Sequence, residues 1–527
     1  MKRLGQWVAI WATSKQCADR NFAGRVPVRH RRASGLIGAE VAVVLCVAAA
    51  SGMGAARPQY GGVLRVELRA TSVTLQPMKW KAGSAEFASN ERLAELVFDR
   101  LVTLDNYGRF QPGLATEWSH DNTGKRWQFT LRQGVKFSDG SALTPGDVVA
   151  ALQPLLPRGM QITAATSGVS IQCPGATNDL LELLASGPYF IYKDNGGGLL
   201  RGTGPFALES VSASARDVDK VNGDGGPAAT QRLRFRANEL SWSGRPYLDA
   251  VEVTLGVAPA RALLDLQLGK TDLGELSVDT VRRAEQSNVK CWASAPLTLY
   301  ALKFSEEAKT ANEQVLREAI DLAVDRGAMA RVLLQKQAEP SGAFLPQWLS
   351  GYAFLFDAES NVERARELRA KLPGSAAGVA TALRISVDAN SELSRLVAER
   401  IAVNARAAGV TLQTVKASGI KSDGDAQLMA WRYTTLSPRT ALESLAATLK
   451  WQIPEGGVPE EPDARYAWEK RMMDEKNLLP MVAVPDFAAR APQVRNWVPS
   501  PWGEWRLADV WLEQSEAGSK TPAGAKP

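Results

Sequence analysis

The stretch LRQGVKFSDGSALTPGDVVAAL (residues 131–152) predicts a strand that passes through a tight turn into a capped helix. Apolar and polar residues alternate in the strand that leads into it, and the apolar positions are Trp127, Phe129 and Leu131. The Asp-Gly pair that ends at Gly140 is typical of a turn. Thr144 can cap a helix that has Pro145 at its first position and Asp147 three residues after the cap. This stretch is scaffold, so any function must depend on what surrounds it.

Charge is spread unevenly along the 527 residues. The sequence has 62 Lys and Arg against 56 Asp and Glu, which gives a net charge of +6. Residues 1–56 hold eight of the basic residues and two of the acidic ones, so 54 of each sign remain in the body of the chain. A neutral body has no overall positive field that would attract phosphates, which argues against nucleic acid as a partner.

The first 56 residues predict a signal peptide or a membrane anchor. A basic flank, RHRRASG, precedes the short apolar run VAVVLCVAAA (residues 41–50), and small residues end the segment near Ala56. The basic region of about 35 residues is longer than in a typical signal peptide. Either the true start therefore lies downstream of Met1, or the segment remains as an uncleaved anchor. At the other end, the small and polar residues 514–527 predict a disordered tail.

The residue types that enzyme chemistry needs are scarce. The sequence has two histidines, His30 in the leader and His120, which excludes a His-based zinc site and disfavours a His-dependent triad. Gly-x-Ser-x-Gly does not occur, and the GKT at 269–271 lacks the earlier glycine of a phosphate-binding loop. The sequence thus predicts no enzyme, no cofactor and no metal site. Cys173 and Cys291 lie beyond the leader, and a disulfide between them remains an alternative.

Hydrophobic periodicity predicts an α/β fold. The strands ALRISVDA (382–389) and VTLQTVKA (410–417) flank the helix SELSRLVAERIAVNARAAG (391–409), a strand–helix–strand unit of the kind that builds a parallel sheet. Thirteen of the fifteen tryptophans lie beyond the leader, several of them near turns or strand ends. Aromatic walls with few charges suit a wide, amphipathic ligand cleft, although core packing is the alternative for any single tryptophan.

The region PGLATEWSHDNTGKRWQFTLRQGVKFSDGSALTPGDVVAAL (112–152) resembles the signature region of the family 5 extracellular solute-binding proteins, the peptide, nickel and oligosaccharide receptors of ABC importers. Further motifs follow in the family's order along roughly residues 60–512. Among them are GTGPFALES (202–210), RPYLDAVEVTL (245–255), LLDLQLGKTDL (263–273), LYALKFS (299–305) and VLREAIDLAVDRGAMARVLL (315–334).

This resemblance implies an α/β fold of the two-lobed periplasmic binding protein type (type II-like, with mixed sheets) and a small extra α/β domain inserted in the first lobe. The implied boundaries are 57–104, 201–296 and 490–513 for lobe I, 105–200 for the inserted domain and 297–489 for lobe II.

The resemblance also implies a function. It predicts an exported, monomeric receptor, located in the periplasm or at the extracytoplasmic membrane surface, that traps a small solute or a short peptide by hinge closure and delivers it to an ABC permease. Peptide-binding members hold the ligand as an added extended strand, mainly through backbone hydrogen bonds. The alternative is an exported ligand-binding or sensor domain without a transport role.

Two departures from the family pattern bear on the ligand. The segment between Trp431 and Ala464 is short, and the family's Trp-x-x-Asp has Thr434 in place of the aspartate. In oligopeptide branches that aspartate binds the peptide's amino group. A hydroxyl cannot neutralise an ammonium, so we expect peptides with charged N-termini to be poor ligands. Neutral, amphipathic or anionic solutes should bind better.

The resemblance places the other candidate ligand-binding residues around Trp431 and Thr434. The Trp431 ring is expected to stack on the ligand, and Phe87, from the loop before the first helix, should line the opposite wall. Tyr300 lies on the predicted hinge strand. In the alternative interpretation Trp431 is a core residue and Glu86 binds the amine instead.

Overall fold

The structure is a computed structural model. It describes residues 57–84, 86–194, 196, 200–214, 230–304, 311–372, 383–388, 391–416 and 424–513. The predicted signal segment, residues 1–56, and the predicted tail, residues 514–527, lie outside the described residues.

Strands and helices alternate along much of the described chain. The strands are β1 (Val63–Glu67), β2 (Val102–Leu104), β3 (Phe110–Pro112), β4 (Ala115–His120), β5 (Arg126–Leu131), β6 (Gln161–Ala165), β7 (Gly168–Gln172), β8 (Lys193–Asp194), β9 (Leu200–Arg201), β10 (Phe206–Ser214), β11 (Thr230–Ala237), β12 (Ala250–Thr254), β13 (Leu273–Leu276), β14 (Lys290–Phe304), β15 (Glu339–Pro340), β16 (Leu383–Val387), β17 (Leu412–Lys416), β18 (Ala426–Arg432), β19 (Leu478–Arg490), β20 (Val494–Arg495) and β21 (Trp511–Leu512). The α-helices are α1 (Phe87–Val97), α2 (Pro145–Leu152), α3 (Leu180–Leu184), α4 (Pro259–Gln267), α5 (Val278–Gln286), α6 (Ala311–Ala323), α7 (Arg326–Ala328), α8 (Gln347–Ser350), α9 (Val362–Ala370), α10 (Glu392–Ala407), α11 (Pro438–Leu449) and α12 (Pro462–Asp474).

One mixed sheet runs through most of the molecule. Its strand order is β10-β11-β12-β1-β13-β19-β14-β18-β16-β17, and β15 pairs with β19. We call the part built on β1 and β10–β13 the first half, and the part built on β15–β18 the second half. The predicted strand–helix–strand unit is confirmed, since β16 and β17 pair in parallel with α10 between them in sequence.

Two long strands, β14 and β19, join the halves. Residues 290–293 of β14 pair with residues 487–490 of β19 beside the first half, and residues 298–303 pair with residues 478–484 in the second half. Between these ladders Pro296 faces Pro485, and the register shifts on both sides of Pro296. Proline has no backbone N–H, so this point of the sheet lacks the donors that would stiffen it. The pairing of β14 with β19 is therefore interrupted at the two prolines, and we call this point the hinge.

A smaller antiparallel sheet, β4-β5-β7-β6, stands apart from the main one and has its own hydrophobic core. With α2 and α3 it forms what we call the small unit. The stretch that opened the analysis lies here. Residues of β5 alternate between exposed and buried as predicted. The predicted capping box at the start of α2 is confirmed, because Thr144 and Asp147 each accept a hydrogen bond from the other's backbone N–H.

Cys173 and Cys291 are both free thiols, so the disulfide that the sequence left open does not form. In the described ranges, no helix has both the length and the apolar character needed to cross a membrane.

Candidate functional site

The segment Trp431–Ser437 leaves the end of β18 and crosses to the other parts of the molecule. Arg432 forms an isolated antiparallel bridge with Gly83, in the loop before α1. Further along, the backbone N–H of Leu436 donates to the Ser186 hydroxyl at 3.1 Å. We call this contact between residues 431–437 and the first half and small unit the seam. It begins beside the Pro296–Pro485 hinge, since Arg432 pairs with Thr298 and the N–H of Tyr433 donates to the carbonyl of Leu297 at 2.9 Å.

Trp431 is buried in the seam with 2% of its surface exposed. Its ring stands edge-on to Tyr433, with ring centroids 5.1 Å apart. A Cβ on Gly83 would lie well under 3.0 Å from Cδ1 and Nε1 of the indole, so only glycine permits this approach. Within the described residues the indole N–H has no acceptor, although it is buried. A buried donor without a partner is costly.

Thr434 is half-buried and lies beside the small unit. Its carbonyl oxygen is 2.7 Å from the point where a Cβ on Gly187 would stand, and Gly187 has the left-handed φ of +63°. The hydroxyl of Ser437, which caps α11, donates to the carboxylate of Asp179 in the small unit. The carbonyl of Thr434 and the hydroxyl of Ser437, which follow β18, thus both contact the small unit.

A line of buried charges connects the seam to the first half. Asp486 on β19 accepts from Arg432 Nη1 at 2.8 Å and from Arg92 Nη2 on α1 at 2.6 Å. Arg92 also pairs with Glu275 on β13. Burial alone would raise the pKa of Asp486, but Arg432 and Arg92 together lower it to about 2. Arg432 is therefore charge-compensated and does not present a free cation to the seam.

A second buried group surrounds Arg100, at the end of the loop after α1. Its guanidinium contacts Glu91 at 2.7 Å and Glu504 at 3.2 Å, and it donates to the carbonyl of Gly187 at 2.9 Å. Glu95 is 3.9 Å from it. Burial, and next the charge of Glu504, raise the pKa of Glu95 well above its usual range. Since Gly187 also meets Thr434, this group supports the small-unit side of the seam.

The other predicted site residues are more dispersed. Tyr300 pairs in the ladder with Ala430, next to Trp431, but alternation along the strand puts the two rings on opposite faces of the sheet. Burial raises the pKa of Tyr300, and its hydroxyl bonds Ser391 at the start of α10. Phe87 does not lie in the loop before the first helix, as predicted, but is the buried first residue of α1, with its ring centroid 5.3 Å from that of Trp80.

Glu86 is exposed at the start of α1, and its side chain makes no capping hydrogen bond. It follows Gly83 by three residues, so it lies close to the seam in sequence. Its side chain is exposed to solvent. The structure thus brings Trp431 and Thr434 together at the end of β18. Phe87, Tyr300 and Glu86 lie on other elements and do not form one continuous ligand-binding surface with them.

Sequence reasoning missed Gly83 and the pair formed by Arg432 and Asp486. The sequence of α1 could have predicted buried ion pairs, since the helix carries Glu91, Arg92 and Glu95 among its apolar positions. Charged residues on a helix this apolar are rarely buried unless they are paired. Across the described ranges, no group of three or more His, Cys, Asp or Glu side chains is arranged to hold a metal ion.

Comparison with known proteins agrees with this arrangement. A sequence model of the bacterial extracellular solute-binding proteins, family 5 Middle, matches residues 109–452, more than half of the chain. The chain is 26% identical over 276 residues to the nickel-binding periplasmic protein of Escherichia coli (strain K12), which covers 46% of this chain and 49% of that protein. It is 21% identical over 340 residues to the oligopeptide-binding protein OppA of Bacillus subtilis (strain 168), covering 53% and 57%. The chain spans about half the length of the curated relatives it matches.

Among solved structures, the dipeptide binding protein from Pseudoalteromonas sp. SM9913, in complex with Met-Leu, superposes with a TM-score of 0.69 at 16% identity. The match covers 86% of this chain and 100% of that one. This likeness confirms the predicted two-lobed α/β fold.

Proposed function

We propose that this chain, which belongs to the bacterial extracellular solute-binding proteins of family 5, captures a small solute or a short peptide between its two halves and delivers it to an ABC permease. The observation that carries the proposal is the seam. Residues 431–437 of the second half contact the first half and the small unit through the Gly83–Arg432 bridge and the bond from Leu436 to Ser186. A contact of this kind, between parts that a hinge joins, can open to admit a ligand and close around it.

The end of β18 offers backbone groups to such a ligand. In this structure they are covered by the loop at Gly83, which pairs with Arg432 as a short added strand would. An extended ligand that took the place of this loop would gain the same backbone pairing. It would also uncover the indole N–H of Trp431, which could then donate to a ligand carbonyl.

Several further parts of the proposal follow from the family. The protein acts by binding rather than as an enzyme, works as a monomer, and is exported through its N-terminal segment to the periplasm or the extracytoplasmic membrane surface. The E. coli relative is named a periplasmic protein, which supports that location. The division into lobe I, an inserted domain at 105–200 and lobe II remains our proposal. A sensor without a transport role is less favoured, because the relatives are named as binding proteins of the periplasm or of oligopeptides.

The residues of the seam bear on which ligand charge the site prefers. Thr434 offers no carboxylate, and the charge of Arg432 is already balanced by Asp486. An ammonium enclosed in the seam would therefore have no partner from position 434, and an unpaired buried charge is strongly unfavourable. We infer that neutral, amphipathic or anionic solutes are preferred over peptides with a free N-terminus. In the alternative, Glu86 swings in from solvent and pairs with the amine.

Isothermal titration with a pool of short peptides and with the same pool after N-acetylation tests this. The acetylated pool should bind at least as tightly as the free-amine pool. Clearly tighter binding of the free amines would reject the inferred preference, and loss of that advantage in Glu86→Gln would establish the alternative. If neither pool nor a panel of anionic solutes raises the melting temperature, the capture function itself is contradicted, since a ligand of the folded state must stabilise it.

A further inference from the structure

A pocket of about 490 Å³ opens at the end of the second half that is farthest from the hinge. Phe304, the last residue of β14, and Leu449, the last residue of α11, line it. Phe304 follows Pro296 by eight residues along β14, which corresponds to roughly 26 Å at about 3.3 Å per residue. We call it the end pocket. It is remote from the seam, so a ligand in the seam would not fill it.

Three cationic side chains line the end pocket: Lys303, Lys450 and Arg471. In the described part of the chain, the side chain of none of them makes a hydrogen bond or an ion pair. Glu475 is the one acidic side chain in the lining, and it accepts a hydrogen bond from the side chain of Asn477 at 2.9 Å. The lining therefore carries a net positive charge that the protein itself does not compensate.

Aromatic and apolar side chains stand between these cations, together with the polar Gln452 and Asn477. Trp451 is half-buried, and its ring centroid lies 5.2 Å from that of Phe344. Phe304 is buried, with the guanidinium of Arg317 4.8 Å from its ring centroid on the protein side. Arg317 also donates to Asn477 at 2.7 Å, which holds that side of the pocket in place. The volume is within the range of pockets that bind small molecules.

Lys450 holds its place in the lining from a strained backbone position. It follows α11 in the left-handed conformation, with φ 56° and ψ 31°, and the N–H of Trp451 returns to the carbonyl of Ala446 at 2.9 Å. This is the position of a helix end where glycine is usual, because a side chain there is strained. A lysine is thus present where glycine would make the fold more stable. The positive charge of Lys450 also stabilises the C-terminus of α11. The effect of removing it must therefore be judged by ligand binding as well as by stability.

We propose that the end pocket is a second binding site, which takes a planar apolar anion such as an aryl carboxylate. The ring would lie against Trp451 and Phe304, and the carboxylate would meet Lys450 and Arg471 at the rim, with Lys303 adding its charge from the side. Exposed ion pairs are weak singly, so the ring contact supplies part of the affinity and the three cations select the anion. This proposal does not depend on what the seam binds.

Isothermal titration at low ionic strength with 2-naphthoate, and with the neutral 2-naphthamide as the matched probe, tests the proposal. Naphthoate should bind with one site and the amide clearly more weakly. Lys450→Gly should weaken naphthoate binding about two- to fivefold, and the double variant with Arg471→Gln about tenfold or more. Lys450→Gly should at the same time raise the melting temperature by about 1 °C, because the left-handed strain is relieved. The seam variant Gly83→Ala should leave naphthoate binding unchanged.

Equal binding of naphthoate and naphthamide would overturn the choice of an anion. Absence of naphthoate binding at millimolar concentration, or binding that Lys450→Gly and Arg471→Gln leave unchanged, would overturn the site. Naphthoate binding that Gly83→Ala strengthens or weakens would place the probe at the seam and would likewise reject the end pocket. The stability readout shows in each case that the variants are folded.

Discussion

Replacing Gly83 with alanine is the perturbation that bears most directly on the seam. Gly83 has φ +75°, and a Cβ there would lie well under 3.0 Å from two atoms of the Trp431 ring and 3.3 Å from its Cγ. The ring cannot move far, because it is buried in the core of the second half together with Tyr433. The loop must therefore retreat, and the Gly83–Arg432 bridge must break.

The size of the effect follows from what is lost in the closed form. Breaking the bridge removes about 1 kcal/mol of net hydrogen bonding, and exposing the edge of the indole adds a similar amount. We expect the closed, ligand-free form to lose about 1–2 kcal/mol relative to the open one. That difference lowers the population of the closed form relative to the open form about 5- to 30-fold.

Gly134 provides a matched control. It also has φ +75°, but a Cβ there would meet nothing within 4 Å. Gly134→Ala therefore carries the same left-handed strain without a collision. Small-angle scattering of the ligand-free protein should give a larger radius of gyration for Gly83→Ala than for Gly134→Ala, against about 24 Å for a compact chain of this length. Hydrogen exchange of the Leu436 amide should accelerate in Gly83→Ala alone. Identical radii and identical exchange in the two variants would refute the reasoning.

Three further results are expected. Asp486→Asn should lower the unfolding free energy at neutral pH by about 3–5 kcal/mol in urea titrations, since it leaves buried guanidinium groups short of a carboxylate. The folded pKa of Asp486 is about 2, below the unfolded value of about 3.9, so this stabilisation should be complete above about pH 4 and fade toward pH 2. A difference that stays constant over that interval would argue against the ion pairs. Burial raises the pKa of Glu469 to about 7, so the folded state binds more protons than the unfolded state between about pH 4.3 and 7, and stability should fall as the pH rises. Glu469→Gln should flatten that decline in thermal melts, whereas an unchanged decline would assign it to another group. Cys173 and Cys291 should both react with a thiol reagent in denaturant without reductant, and unreactive thiols would contradict the free cysteines of the structure.

Local patterns were sufficient to predict the scaffold. The alternation in β5 and the Thr144–Asp147 capping box depend on residues within a few positions of one another, and both form as expected. The parallel pairing of β16 with β17 around α10 follows from the same periodicity. The order of short motifs along the chain then indicated the two-lobed fold, which propensities alone would not have specified.

The seam could be predicted only in part, because its contacts join residues that are far apart in sequence. The motif comparison identified Trp431 and Thr434, and these do lie together at the end of β18. It gave no sign that Gly83 packs against the indole, since that approach depends on how the halves meet. It also gave no sign that Asp486, 54 positions after Arg432, compensates the charge of that arginine. The side-chain directions on β14 were equally hidden, so the sequence did not show that Tyr300 and Trp431 lie on opposite faces of the sheet.

Hydrogen exchange on the protein with and without a ligand found by the peptide and anion screens tests the capture mechanism most directly. If the ligand is held between the halves at the seam, the amides of residues 431–437 and those around Gly83 should be protected together. Protection confined to other parts of the chain, for example to the end pocket around Trp451, would contradict capture at the seam.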